Sequence, residues 1–294
     1  MSDMSAAGEA RGAGPAPGAR GMTLVECAIA LVISAVLLAS VWALLLAGWR
    51  TARAESATVA VRQNVRAAAA VLRADLLGVS ARGGDLLALS DSAFTLRATR
   101  GFGFLCASPS GGAVILWDSL FSATRAVDPA RDSALIFREG ASATSEDDRW
   151  LHAGITSTRG GGCGDGTSGT ALVLAGVSSA DLSGVTTGAP VRTFEMLEYR
   201  RYVDADHIGW LGVHGPAAGG GWAATSPIAG PLRPRDGVVF RFTGRDGRAS
   251  ADPAGVALVE ATINGLDPRP LSAPGRPLRP SVDSAVVRVY VGGP

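Results

Sequence analysis

The stretch Arg20–Trp49, RGMTLVECAIALVISAVLLASVWALLLAGW, decides how the rest of the chain is read. From Cys27 to Trp49 it carries no charge. At about 1.5 Å of rise per residue, a helix over this run spans roughly 35 Å, against about 30 Å for a bilayer's hydrocarbon core. Trp42 and Trp49 fall in its far half, where aromatic rings suit the membrane interface, and Arg50 and Arg53 mark the exit into water. The apolar segment of an ordinary secretory signal, about 7–15 residues, is shorter and would not be interrupted by Glu26.

Glu26 is the one carboxylate in this run, and a carboxylate near the start of a membrane helix needs a partner. A cut after Gly21 supplies one. It frees the α-amine of Met22, a cation four residues before Glu26. In a stack of parallel helices, the amine of an incoming subunit can meet the Glu26 of its neighbour, which offsets desolvation and fixes axial register. Gly21, without a side chain, lets a protease approach the backbone. Residues 1–21 are rich in Gly, Ala, Ser and Pro and hold too little apolar surface to fold, so they read as a removable leader. Arg11 and Arg20 hold it on the cytoplasmic side.

The helix continues past the membrane segment. Thr51–Leu77 contains neither Pro nor Gly, and Val61, Val65, Ala68, Leu72 and Leu76 recur at spacings of three and four. Arg62, Arg66 and Arg73 take other faces, and Gly78 is a natural stop. The reading is one helix of about 55 residues, near 80 Å long at the standard rise. Residues 22–49 form its transmembrane half and 50–78 its amphipathic half.

Residues 79–294 form a β-rich remainder. Ala93–Thr99, Ala113–Trp117, Ala134–Arg138, Ala171–Leu174, Gly237–Thr243, Val256–Ile263 and Ala285–Val291 are short β-rich runs separated by turn chemistry. Few helical patterns intervene, so antiparallel pairing is expected and the fold class is α+β. Arg159–Thr170 reads as a loop, and Asp267–Pro280 as an extended Pro-rich segment. Phe102, Phe104, Trp117, Phe137 and Trp150 are expected in the core.

The 294 residues suffice for one or two domains, and the net charge of +1 gives no bulk argument for nucleic acid. Every basic residue is Arg, which reads as composition bias rather than a demand for guanidinium chemistry. Cys27 lies in the apolar run. Cys106 and Cys163 can pair if this part is exported, or stand as two unrelated thiols. No CxxC occurs, and His152, His207 and His214 lack metal-binding spacing. Asp204, Asp206 and His207 read as an exposed turn, with a cation site as the alternative. Glu146, Asp147 and Asp148 read as a solvated loop. The Gly-rich segment around Cys163 lacks the Lys-Ser/Thr of a phosphate loop, and no GxSxG is present. No catalytic residue, cofactor or metal is assigned.

Arg20-Gly21-Met22-Thr23-Leu24-Val25-Glu26 with its apolar run resembles the class III signal of type IV prepilins and type II secretion pseudopilins. The resemblance implies cleavage after Gly21 by a prepilin peptidase, N-methylation of Met22, and a role for Glu26 as the assembly contact. Met22 replaces the commoner Phe, and the helix-bending Pro of major pilins is absent. Asn64–Gly78 (NVRAAAAVLRADLLG), Phe194–Arg201 (FEMLEYRR) with Trp210-Leu211-Gly212, and Asp283–Val291 resemble J-type minor pseudopilins and W-type minor pilins. Tip subunits of the K type usually lack the glutamate that Glu26 supplies. The resemblance to the J-type and W-type subgroup implies a pilin-like fold, a long helix packed on antiparallel sheet.

The function this implies is structural: a minor subunit that primes or caps a filament, and not an enzyme. Its expected partners are the peptidase, other minor and major pilins or pseudopilins, the inner-membrane assembly platform and, before assembly, membrane lipid. Its expected place is the inner membrane, single-pass with the C-terminal domain in the periplasm, and then the filament. Some pseudopilins bind calcium, and the acidic trio is where a calcium site would fall. The rival readings are a competence-type or adhesive pilus subunit and a membrane-anchored periplasmic enzyme.

Overall fold

The structure, a computed structural model, describes residues 22–141, 147–217, 221–267 and 282–291. The leader, Gly21, Glu146 and most of the Pro-rich segment lie outside them. Helix α1 runs Leu24–Leu76, and Gly78 follows its last turn. The chain forms two compact units, Met1–Ala52 and Arg53–Pro294, and α1 contributes to both. In the first unit the apolar side chains stand open: Leu24 is 87% exposed and Leu44 73%. In the second unit the predicted face is buried, with Val61, Val65, Ala68, Leu72 and Leu76 all at 2% exposure or less. Leu72→Ala is therefore expected to cost about 3 kcal/mol. Denaturant unfolding of the full chain in detergent should show a lower midpoint at unchanged slope.

The second unit is a thirteen-stranded antiparallel sheet among the described residues. In chain order the strands are β1 (Leu86–Leu89), β2 (Ala93–Ser110), β3 (Ala113–Trp117), β4 (Ser122–Ala123), β5 (Asp132–Arg138), β6 (Arg149–Gly162) and β7 (Ser168–Ala175). A short helix α2 (Ser179–Leu182) precedes β8 (Pro190–Val203), β9 (Gly209–His214), β10 (Ser226–Leu232), β11 (Val238–Gly244), β12 (Val256–Leu266) and β13 (Val282–Tyr290). Each run of β pattern named from the sequence falls on a strand. The fold is α+β, as the helix and the β-rich runs imply.

Strands β2 and β8 are the spine. They pair from Ala93↔Arg200 to Phe104↔Pro190 and carry two cores on one face. In the first core, the buried face of α1 packs with Phe94, Leu96, Tyr199, Phe240, Val259 and Ile263. Phe94 meets Phe240 edge to face at 4.8 Å. The second core fills a closed barrel. The neighbours β2, β3, β7, β6, β5 and β8 return to β2, and Leu105, Leu116, Ile136, Ala153, Leu172 and Val191 occupy the interior. Gly101 and Gly103 also face inward. A Cβ on either would come within 2.9 Å of the Phe121 ring, so the two glycines make room for that side chain.

The barrel corrects two expectations. Phe102 and Trp150 are 42% and 44% exposed, and Phe104, Trp117 and Phe137 are half-buried. Strand alternation gives the interior to Gly101, Gly103, Leu105 and Leu151, which turns Phe102, Phe104 and Trp150 outward. Arg159–Thr170 is not a loop throughout. Gly160, Gly161 and Gly162 pair with Thr170, Gly169 and Ser168, which leaves only residues 163–167 as the turn. Small residues are needed there, since a Cβ on Gly169 would come within 2.6 Å of Leu116 O.

Candidate assembly site

The start of α1 is built by Thr23 and Glu26. The Thr23 backbone N–H donates to Glu26 Oε2 at 2.9 Å, and its hydroxyl donates to the same oxygen at 3.1 Å. Glu26 N–H donates back to Thr23 Oγ1 at 3.3 Å. This is a reciprocal capping box, with Thr23 as N-cap and Glu26 at the third helical position. It satisfies two amides that a helix start leaves open, and it places a negative charge at the positive end of the helix dipole. The carboxylate thus has a partner inside its own chain. Met22 lies just before the box, 66% exposed. Gly21, the predicted cleavage residue, lies outside the described residues.

Helix α1 is long and apolar enough to cross a membrane. Open apolar surface on this scale calls for lipid or for other helices. With Thr23 and Glu26 closing its first turn, the segment offers a charged, hydrogen-bonded terminus followed by a continuous greasy surface.

The other predicted positions lie in the second unit. Cys106 and Cys163 form a disulfide with Cα atoms 5.2 Å apart, joining β2 to the β6–β7 turn. Cys27 is a free thiol on α1. The three histidines have separate surroundings. His152 lies against Phe194, and partial burial of the ring, then the Arg97 charge, pull it below the ordinary imidazole range. His207 sits at φ 60° in a tight turn. His214 is buried and stacks on Trp222 at 4.6 Å. Asp204 accepts from the amides of Ile208 and Asp206 and from Trp210 Nε1, so this carboxylate is held by its own turn. The Ile208 amide, then Trp210, keep it below the ordinary carboxylate range. Asp147 and Asp148 accept from the Ala141 and Gly140 amides. Among the described residues no group of three or more His, Cys, Asp or Glu is arranged to hold a metal ion.

A charged cluster went unseen in the sequence. Arg100 Nη1 donates to Asp75 at 2.8 Å, and its Nε donates to Glu195 at 3.0 Å. Arg125 donates to Asp132 at 2.6 Å and to Glu195 at 3.1 Å, and Tyr199 donates its hydroxyl to Asp75 at 2.5 Å. Burial, then the Asp75 charge, push the Tyr199 phenol upward and keep it a donor. Burial pulls the Arg100 guanidinium down, but the bonds and charges of Asp75 and Glu195 outweigh it and raise it. The cluster ties α1 to β2 and β8 between the two cores. Arg100 reaches it through a bulge: the register passes from Thr99↔Phe194 to Gly101↔Thr193 and leaves Arg100 as the extra residue.

The prokaryotic N-terminal methylation motif matches residues 17–42, which contain Met22, Thr23 and Glu26. The match supports the type IV prepilin and pseudopilin family, and with the apolar helix it fits membrane anchoring. It also implies processing by a prepilin peptidase and assembly with other pilins. No curated protein and no solved structure matches the chain.

Proposed function

We propose that the chain is a minor pilin or pseudopilin that primes or caps a short filament. Processing after Gly21 frees the Met22 amine, and α1 then moves from lipid into a bundle of parallel helices. The observation that carries this reading is the methylation motif set on an exposed, apolar helix start whose carboxylate is held by Thr23. The capping box gives Glu26 a second role. It keeps the carboxylate hydrogen-bonded in the membrane-stored subunit until the amine of a neighbour replaces or joins Thr23. The sheet unit of residues 53–294 faces the periplasm and contacts other minor subunits, and it acts as a structural element rather than as an enzyme. The resemblance of Asn64–Gly78, Phe194–Arg201 and Asp283–Val291 to J-type and W-type subunits supports a minor rather than a major component.

Glu26→Ala tests the assembly contact. Processing should stay close to wild type, because the cut precedes the helix. Incorporation into sheared filaments should fall by about thirtyfold or more, the scale of truncating one partner of a buried interfacial charge pair. Quantitative immunoblots of the sheared and membrane fractions measure both. Wild-type incorporation of Glu26→Ala would show that the amine needs no carboxylate at this position.

A further inference from the structure

Among the described residues, the sheet has an open edge at β13. This strand pairs with β12 over nine residues without a register shift, from Leu258↔Tyr290 to Leu266↔Val282, and no described strand lies on its other side. Val291 N–H donates to Ala257 O at 2.9 Å, which sets the phase of the ladder. Odd-numbered residues bond to β12, so Val282, Ser284, Val286, Arg288 and Tyr290 turn their N–H and C=O groups to the open side. The same residues present side chains on the solvent face, where Val286 is 51% exposed and Tyr290 81%.

An edge of this kind is a template for another strand, and proteins ordinarily blunt it with Lys, Pro, a bulge or a covering segment. Strand β13 has no Lys, Pro or bulge. Its exposed charge, Arg288, is bonded to Glu260 at 2.6 Å. Strand β11 shows the contrast within the same sheet. On the side away from β12, Phe240 N–H donates to Asp91 O and Phe242 O accepts from Ser250 N–H, each at 2.9 Å. Val238 O accepts from Arg201 Nη1 at 3.2 Å. That edge is closed.

We propose that β13 is an assembly edge that accepts an extended strand from a different, neighbouring filament subunit. The proposal rests on the filament reading above. Backbone groups in strand register call for an extended chain, and Val282, Val286 and Tyr290 call for apolar side chains at alternate positions of that chain. Subunits of a filament meet head to tail, so β13 must find a strand other than another β13. Among the described residues the β11 edge is closed and β1 is four residues long, which favours a strand from another pilin-type chain.

The test uses the full chain in its own host with a photo-crosslinking residue at Tyr290. Adducts from assembled filaments should map by mass spectrometry to an extended segment of a second pilin-type subunit. Val286→Pro removes one open-side donor and leaves the ladder to β12 intact. It should lower the adduct yield by about tenfold, the scale of one lost donor and the register it sets. If Val286→Pro lowers the unfolding midpoint, Val286→Lys serves instead by placing a charge on the same face. Adducts to a second copy or to lipid alone, no adducts, or yields unchanged by both variants would overturn the proposal. Those results with normal incorporation fault the edge alone, whereas loss of Met22 processing without effect on incorporation faults the filament reading.

Discussion

Replacing Gly21 by a bulky residue such as Leu leaves the chain uncut and out of the filament. The expected result is a full-length membrane form and loss of essentially all incorporation, the largest effect foreseen for any single change. Two physical steps fail together. The peptidase loses close approach to the backbone at a residue without a side chain, and the Met22 amine is never made. The carboxylate of Glu26 then keeps only Thr23 as its partner. In the uncut chain the Met22 nitrogen is an uncharged amide, so it cannot answer a neighbour's carboxylate in the proposed bundle. Intact-mass measurement of the membrane fraction distinguishes the cut from the uncut form. An uncut chain that still enters filaments would defeat the reading, and so would normal cleavage of Gly21→Leu.

Arg100→Ala should be among the most damaging changes in the sheet unit. Its guanidinium joins Asp75 on α1 to Glu195 on β8, with side-chain exposures of 15% for Arg100, 15% for Asp75 and 7% for Glu195. Removing it leaves two largely buried carboxylates short of a cation, which costs about 3 kcal/mol and lowers the melting temperature by roughly 10 °C. The partners that remain, Tyr199 on Asp75 and Arg125 on Glu195, are why the loss is not larger. Arg131→Ala is the comparison. Arg131 also approaches Glu195, but it is 54% exposed, and its loss should cost under about 1 kcal/mol. Thermal melts of both full-length variants in detergent check this. Equal melting temperatures would remove the clamp from the account.

Much of this protein was legible in its sequence because helices and strands repeat with fixed periods. The spacing of Val61, Val65, Ala68, Leu72 and Leu76 marked the buried face of α1. Runs rich in β-formers and bounded by turn chemistry marked β11, β12 and β13. The motif at Phe194–Arg201 is also sheet: Glu195, Leu197 and Tyr199 turn one way along β8 and are buried. Period fails where a strand's two faces have different fates. The aromatic residues of Arg100-Gly101-Phe102-Gly103-Phe104 looked like core, yet the inward positions belong to the glycines because Phe121 closes over them. The bulge at Arg100 is silent in sequence, since one extra residue in an eighteen-residue strand leaves no compositional trace.

The N-terminal pattern was legible in sequence alone: a small residue before Met22, whose amine the proposed cut would free, a carboxylate four residues on, and an apolar run long enough for a bilayer. Those are local relations along one helix, and the capping box of Thr23 and Glu26 is local for the same reason. The tertiary structure decided what depends on distant segments meeting. It closed six strands into a barrel, joined Cys106 to Cys163, set Arg100 between Asp75 and Glu195, and, among the described residues, closed β11 and left β13 without a second neighbour. Each of these is a pairing across long sequence separation, and no period along the chain encodes which distant partner a strand edge or a charge will find.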